Sequence, residues 1–113
     1  MKIEESGMAK LFCACLQNEQ YLKRYAAAVG LPPFLALGHL ALRILVFELV
    51  KNGNVVAVTP HRIAALVRLC GLERTAVRRV ARAVKKLLRR YGVYPVYSNY
   101  VYRLADLARA ISV

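Results

Sequence analysis

The chain has 113 residues, 58% of them hydrophobic, and a formal net charge of +12. That length fits one domain with a real core and excludes two. The apolar share excludes a disordered basic tail, which reaches such a charge by giving up hydrophobic residues. The charge is also uneven, because residues 1–58 hold six Lys/Arg against four acids and residues 59–113 hold twelve against two. A field concentrated in one half points to a polyanionic partner, nucleic acid ahead of an acidic membrane.

In chain order, Ser6 is placed to cap a first helix that runs to about Val29. Its apolar positions Met8, Leu11, Phe12, Cys15, Leu22, Tyr25, Ala26 and Val29 follow helical spacing. Gly30 suits the residue after that helix, and Pro32-Pro33 prevents continuation. A second helix is expected over 34–51. It is apolar on nearly all sides but contains His39, Arg43 and Glu48, and its apolar run is short of the roughly 20 residues a membrane span needs. It therefore reads as a core helix that other elements cover. Asn52-Gly53-Asn54 ends it, and 55–58 reads as a short strand. Thr59-Pro60 is an N-cap followed by proline at the first helical position, with Ile63, Leu66, Val67 and Cys70 as the buried stripe and Gly71 as the stop. A fourth helix enters at Glu73 or Thr75 and reaches about Tyr91. Gly92 ends it, two strands over 93–97 and 100–104 flank a Ser98-Asn99 loop, and 105–111 closes the chain as a helical turn or two.

The fourth helix carries the functional signal. At 100° per residue, Val77, Val80, Val84, Leu87, Leu88 and Tyr91 fall within about a 100° arc, while Arg74, Arg78, Arg79, Arg82, Lys85, Lys86, Arg89 and Arg90 occupy about 160° of the remainder. No acid interrupts them. A merely solvated face interleaves opposite charges, because like charges four apart destabilise a helix. Arg74–Arg78, Arg78–Arg82, Arg82–Lys86 and Lys86–Arg90 are all repulsive, so an external anion is expected to neutralise them.

The order helix, strand, helix, turn, helix, hairpin over residues 34–104 resembles the winged helix-turn-helix superfamily, with an additional N-terminal helix in front. The stretch that carries the resemblance runs from Ile63-Ala64 through Gly71-Leu72 to Val77, Val80 and Val84, then Gly92-Val93. The expected fold is mainly α with a small β-hairpin. It forms a single domain over 1–113, with 8–33 as the N-terminal helix and Pro-Pro turn, 34–104 as the core and 105–113 as the C-terminal turn. By position the resemblance implies base contacts from Arg74, Thr75, Arg78, Arg79 and Arg82 in the major groove of double-stranded DNA. Lys85, Lys86, Arg89, Arg90 and Arg103 would meet phosphates. His61 and Arg62, in a first helical turn that usually prefers acids, are expected to bind a phosphate as well.

Tyr91, Tyr94, Tyr97, Tyr100 and Tyr102 are read first as hairpin packing, with Tyr97 opposite Tyr100 and Pro95 opposite Tyr102. Their second reading is stacking on single-stranded bases. The three cysteines, an odd number, read as free thiols, with Cys15 and Cys70 on apolar stripes and no zinc spacing around Cys13. No metal, cofactor or enzymatic constellation is expected. The absence of a leader-like start and of paired cysteines points to a cytoplasmic, nucleoid-associated protein. The Arg-rich composition has a thermophile-like cast. The function expected is sequence-specific DNA binding by a transcriptional regulator. Its homodimer would form through helix 8–29 and part of helix 34–51, whose apolar surface is expected to be too large for so small a chain to cover. The alternatives are a non-specific architectural chromatin or virus-genome protein, an RNA or single-strand binder, and a protein-assembly adaptor.

Overall fold

The computed structural model describes residues 7–49 and 54–112, so the expected Ser6 cap and the Asn52-Gly53 break lie outside the described residues. The described chain is mainly α, with six helices and a two-stranded antiparallel sheet. The helices are α1 (Gly7–Gln17), α2 (Glu19–Val29), α3 (Pro33–Leu49), α4 (Pro60–Leu69), α5 (Arg74–Arg90) and α6 (Leu104–Ile111), and the strands are β1 (Val55–Ala57) and β2 (Val101–Arg103).

The N-terminal helix is two helices, not one. Asn18 leaves the helical conformation and its side chain accepts the Gln20 N–H at 2.9 Å, an N-cap that starts α2 afresh. Cys15 and Leu22 are both buried and stand about two turns apart, so the apolar stripe carries across the break and conceals it. Gly30 then adopts φ 70° and its N–H closes on the Ala26 carbonyl, the left-handed helix end that only glycine adopts cheaply. After it the chain bends by 80° into α3. No single helix among the described residues is long and apolar enough to cross a membrane.

α3 is the centre of the molecule. Ala36, Leu37, Leu40, Ala41 and Leu42 are fully buried, with α1, α2, α5 and α6 packed around them. The most extensive helix contact is α3 with α5. It closes at Gly38, where an added Cβ would lie 2.5 Å from the Ala83 carbonyl carbon and oxygen. Within the chain α1 and α2 also pack on α3. Among the described residues of these helices, Leu11, Tyr21 and Phe47 are exposed large hydrophobics.

His39 is buried, as its place in an apolar helix suggests, and its Nδ1 pairs with the Tyr25 hydroxyl at 2.8 Å. Arg43 Nη1 donates to the same hydroxyl at 3.4 Å. Burial, then the Arg43 charge, push the His39 pKa below its ordinary value, while the Ile111 backbone pulls weakly the other way.

Two further expectations are corrected. Cys13 and Cys70 are not free thiols: they form a disulfide with Cα atoms 5.2 Å apart. It ties α1 to the C-cap of α4, and Gln17 Nε2 donates to the Cys70 carbonyl at 3.0 Å beside it. Cys15 stays reduced and buried, with its pKa raised by burial. The cytoplasmic expectation thereby loses the thiol argument on which it partly rested. The hairpin is also reduced. Residues 93–97 form no strand, and β2 pairs with β1 instead, with Val55, Val56 and Ala57 opposite Arg103, Tyr102 and Val101. The expected hairpin register persists in one bond, from the Val96 N–H to the Val101 carbonyl at 2.8 Å. Pro95 has no N–H to give such a ladder.

Candidate nucleic-acid interface

α5 begins at Glu73, whose side chain makes no capping hydrogen bond, so the first-turn N–H groups of Arg74 and Thr75 stay open to an incoming acceptor. Val80, Ala83, Val84, Leu87 and Leu88 are buried, as the helical arc requires. Ala83 and Val84 form the face that meets Gly38 of α3. The opposite face looks outward. Seventeen residues at 1.5 Å each give a rod of about 25 Å, long enough to follow a groove across several base pairs.

The eight cations of α5 separate into two sets. Arg74, Arg78, Arg82, Lys85, Arg89 and Arg90 are exposed and make no hydrogen bond, ion pair or ring contact among the described residues. Arg79 and Lys86 have partners within the chain. Arg79 Nη2 meets Glu19 Oε1 of α2 at 3.1 Å, and Lys86 Nζ sits over the Phe34 ring at 5.3 Å from its centroid. Both lie on the flank of α5 that turns toward the N-terminal helices. The sequence placed all eight in one band, because periodicity gives the angle around a helix but not what stands beside it.

The start of α4 offers less to a phosphate than expected. The Thr59 side chain accepts the Arg62 N–H at 3.2 Å, and the Thr59 carbonyl accepts both Arg62 and Ile63 N–H groups at 3.1 Å. Pro60 has no N–H. Arg62 itself turns back, its Nη1 donating to the Ala57 carbonyl at 2.6 Å, so it fastens β1 to α4. His61 and Thr75 are exposed, as is Arg103 at the end of β2.

The tyrosines divide as well. Tyr102 is buried and Tyr91 partly so, in keeping with a packing role. Tyr94, Tyr97 and Tyr100 are exposed, which corrects the expectation that the cluster as a whole serves hairpin packing. Alternating spacing in a short aromatic run did not reveal this, because 93–97 is not a strand and its faces do not alternate.

Three acids have described side chains: Glu19, Glu73 and Asp106. Glu19 is held by Arg79, and Asp106 by Arg109 at 3.2 Å. No group of His, Cys, Asp and Glu among the described residues is arranged to hold a metal ion. The arrangement is suited to binding an extended polyanion along α5, with first-turn N–H groups at one end and Arg89 and Arg90 at the other. Comparison with protein-family models, curated proteins and solved structures finds no match to this chain, so the interface stands on its own geometry.

Proposed function

We propose that this chain is a winged helix-turn-helix protein that binds double-stranded DNA with α5 in the major groove and acts as a transcriptional regulator. The observation that carries the reading is the row of exposed cations on α5 that have no counter-charge among the described residues. Two features of the fold support it. A short turn containing Gly71, at φ 71°, joins α4 to α5, and β1 before this helix pair lies against β2 after it, closing the sheet around the pair. Arg74, Thr75, Arg78 and Arg82 face the bases in this reading. Lys85, Arg89, Arg90 and Arg103 track the phosphates, and His61 contributes from α4. Arg79, Lys86 and Arg62 contribute less, because each has a partner inside the chain.

The test is fluorescence anisotropy with a duplex selected from a random pool and with an unselected duplex, across a salt series. If four phosphates are neutralised per chain, log K against log salt falls with a slope of about −3.6. Arg78→Ala and Arg82→Ala each reduce that slope by about 0.9 if the residue meets a phosphate. A base-reading role would instead relax sequence preference with the slope kept. A flat salt dependence ends the DNA reading.

A second reading is favoured by the make-up of the outward strip, which is cationic apart from Thr75. Such side chains bind phosphate whatever the sequence. Equal affinity for the selected and unselected duplexes identifies a non-specific architectural protein.

A further inference from the structure

Two recesses adjoin between α5 and the 94–100 segment, and they share Lys85, Asn99, Tyr100 and Tyr102 along their common wall. The first, about 200 Å³, is floored by apolar side chains such as Val58 and Val84, with Arg82 at its edge. The second, about 280 Å³, continues past Tyr94 to Arg89. Among the described residues no acidic side chain lines either one.

Four observations describe what this cleft would accept. Its floor is apolar and its walls are aromatic, which suits a flat ring system. Three cations stand at its edges with no carboxylate beside them, which suits an anion attached to that ring. Tyr102 is 7% exposed, yet its hydroxyl has no hydrogen bond among the described residues and is not sealed from the surface. The Asn99 amide and the Tyr100 hydroxyl on the same wall have no side-chain hydrogen bond either. The Tyr102 ring is thus anchored by burial while its hydroxyl, open to the cleft, is free to bond a polar edge. Each recess, at about 200 and 280 Å³, is also below the roughly 300–1,000 Å³ of a drug-sized site, which suits one nucleotide spread across the two.

We propose that this cleft holds one unpaired nucleotide of the nucleic acid bound along α5. The base would lie against Tyr100 and Tyr94 with its polar edge toward Asn99 and Tyr102, and the phosphate would lie at Lys85 and Arg89. The proposal rests on the DNA reading above, since α5 forms one wall of the cleft and brings the strand to it. An acidic peptide would use the cations but leave the apolar floor and stacking faces empty. A lipid tail would use the floor but not the polar wall.

The experiment compares the full chain binding an uninterrupted duplex, the same duplex with a single-nucleotide bulge or a short single-stranded tail, and a free mononucleotide. Stacking of one base is expected to tighten binding of the interrupted duplex about tenfold. Tyr100→Ala and Tyr94→Ala then lower its affinity toward that of the uninterrupted duplex. Tyr102→Phe, which keeps the buried ring, lowers the preference by removing only the hydroxyl. A 5-bromodeoxyuridine at the unpaired position should crosslink on irradiation to Tyr94 or Tyr100. Equal affinity for interrupted and uninterrupted duplexes, or crosslinks confined to α5, overturns the proposal while leaving duplex binding intact. Mononucleotide binding as tight as that of the interrupted duplex overturns it in favour of a soluble ligand. Loss of every nucleic-acid interaction overturns the DNA reading itself.

Discussion

α3 and α5 are both 17-residue helices that lie against each other at Gly38 and Ala83. Their surfaces differ almost completely. α3 is covered from several sides, and the fully buried polar side chain among its described residues, His39, is held by Tyr25. α5 is buried along one stripe and cationic along the rest. A strongly amphipathic helix states in its own sequence which side is anchored and which is offered. A uniformly apolar one states that it is covered but not by what. The candidate interface is on the first kind of helix, and the second kind is packed within the chain against α1, α2, α5 and α6.

The largest way to break this arrangement is to release the cover. The Cys13–Cys70 disulfide spans 57 residues of sequence, and the chain-entropy relation assigns a loop of that size about 4 kcal/mol. Reduction, or Cys13→Ser with Cys70→Ser, is expected to lower the unfolding free energy by that order in urea titrations. The α5 strip should persist, so duplex binding under native conditions should survive. Loss of binding before any loss of fold would show that α1 also positions α5. The next largest effect concerns the contact between the two helices. Gly38→Ala puts a methyl group against the Ala83 backbone, which cannot rotate away. Overpacking of this kind costs about 1–3 kcal/mol. Gly7→Ala, where an added Cβ meets nothing within 4 Å, is the control. A Gly38→Ala protein as stable as the parent would mean that α3 and α5 do not approach this closely.

These contrasts explain what could be read from the chain. Thr59-Pro60, Gly30 and Gly71 fixed helix limits because capping and left-handed turns are local events, decided within a few residues. The outward face of α5 was legible for the same reason. The disulfide was not, because an odd number of cysteines says nothing about which two meet across 57 residues. Neither was the pairing of Arg79 with Glu19, 60 residues away. The missing strand at 93–97 is a third case. Its β-favouring residues carry strand propensity, but Pro95 gives a ladder no N–H, and along the second edge of β2 the segment makes one such bond, from the Val96 N–H to the Val101 carbonyl.

Acid sharpens the comparison with a smaller effect. His39 has a folded pKa below its ordinary value of about 6.5. Above that value the ring is neutral in both states and costs nothing. As pH falls through 6.5 the unfolded chain takes up a proton that the folded chain resists, so stability declines until the folded pKa is passed. His39→Gln should flatten the fall in denaturation midpoint between pH 7.5 and 5. An unchanged slope would place the sensitivity elsewhere.

The smallest change in stability is expected from Glu19→Gln. Both partners of the Arg79–Glu19 pair are substantially exposed, and such pairs contribute about 0.2–1 kcal/mol at most, so the melting temperature should hardly move. The binding experiment should respond more. The substitution removes the carboxylate that faces the flank of α5 and returns Arg79 to the cations available for phosphate. Affinity for duplex DNA should rise at low salt, and the slope of log K against log salt should steepen by up to about 0.9. An unchanged slope would mean that this flank faces away from the nucleic acid. The contact surface would then be limited to the strip through Arg74, Arg78, Arg82, Lys85 and Arg89, on the side of α5 toward the tyrosine-lined cleft.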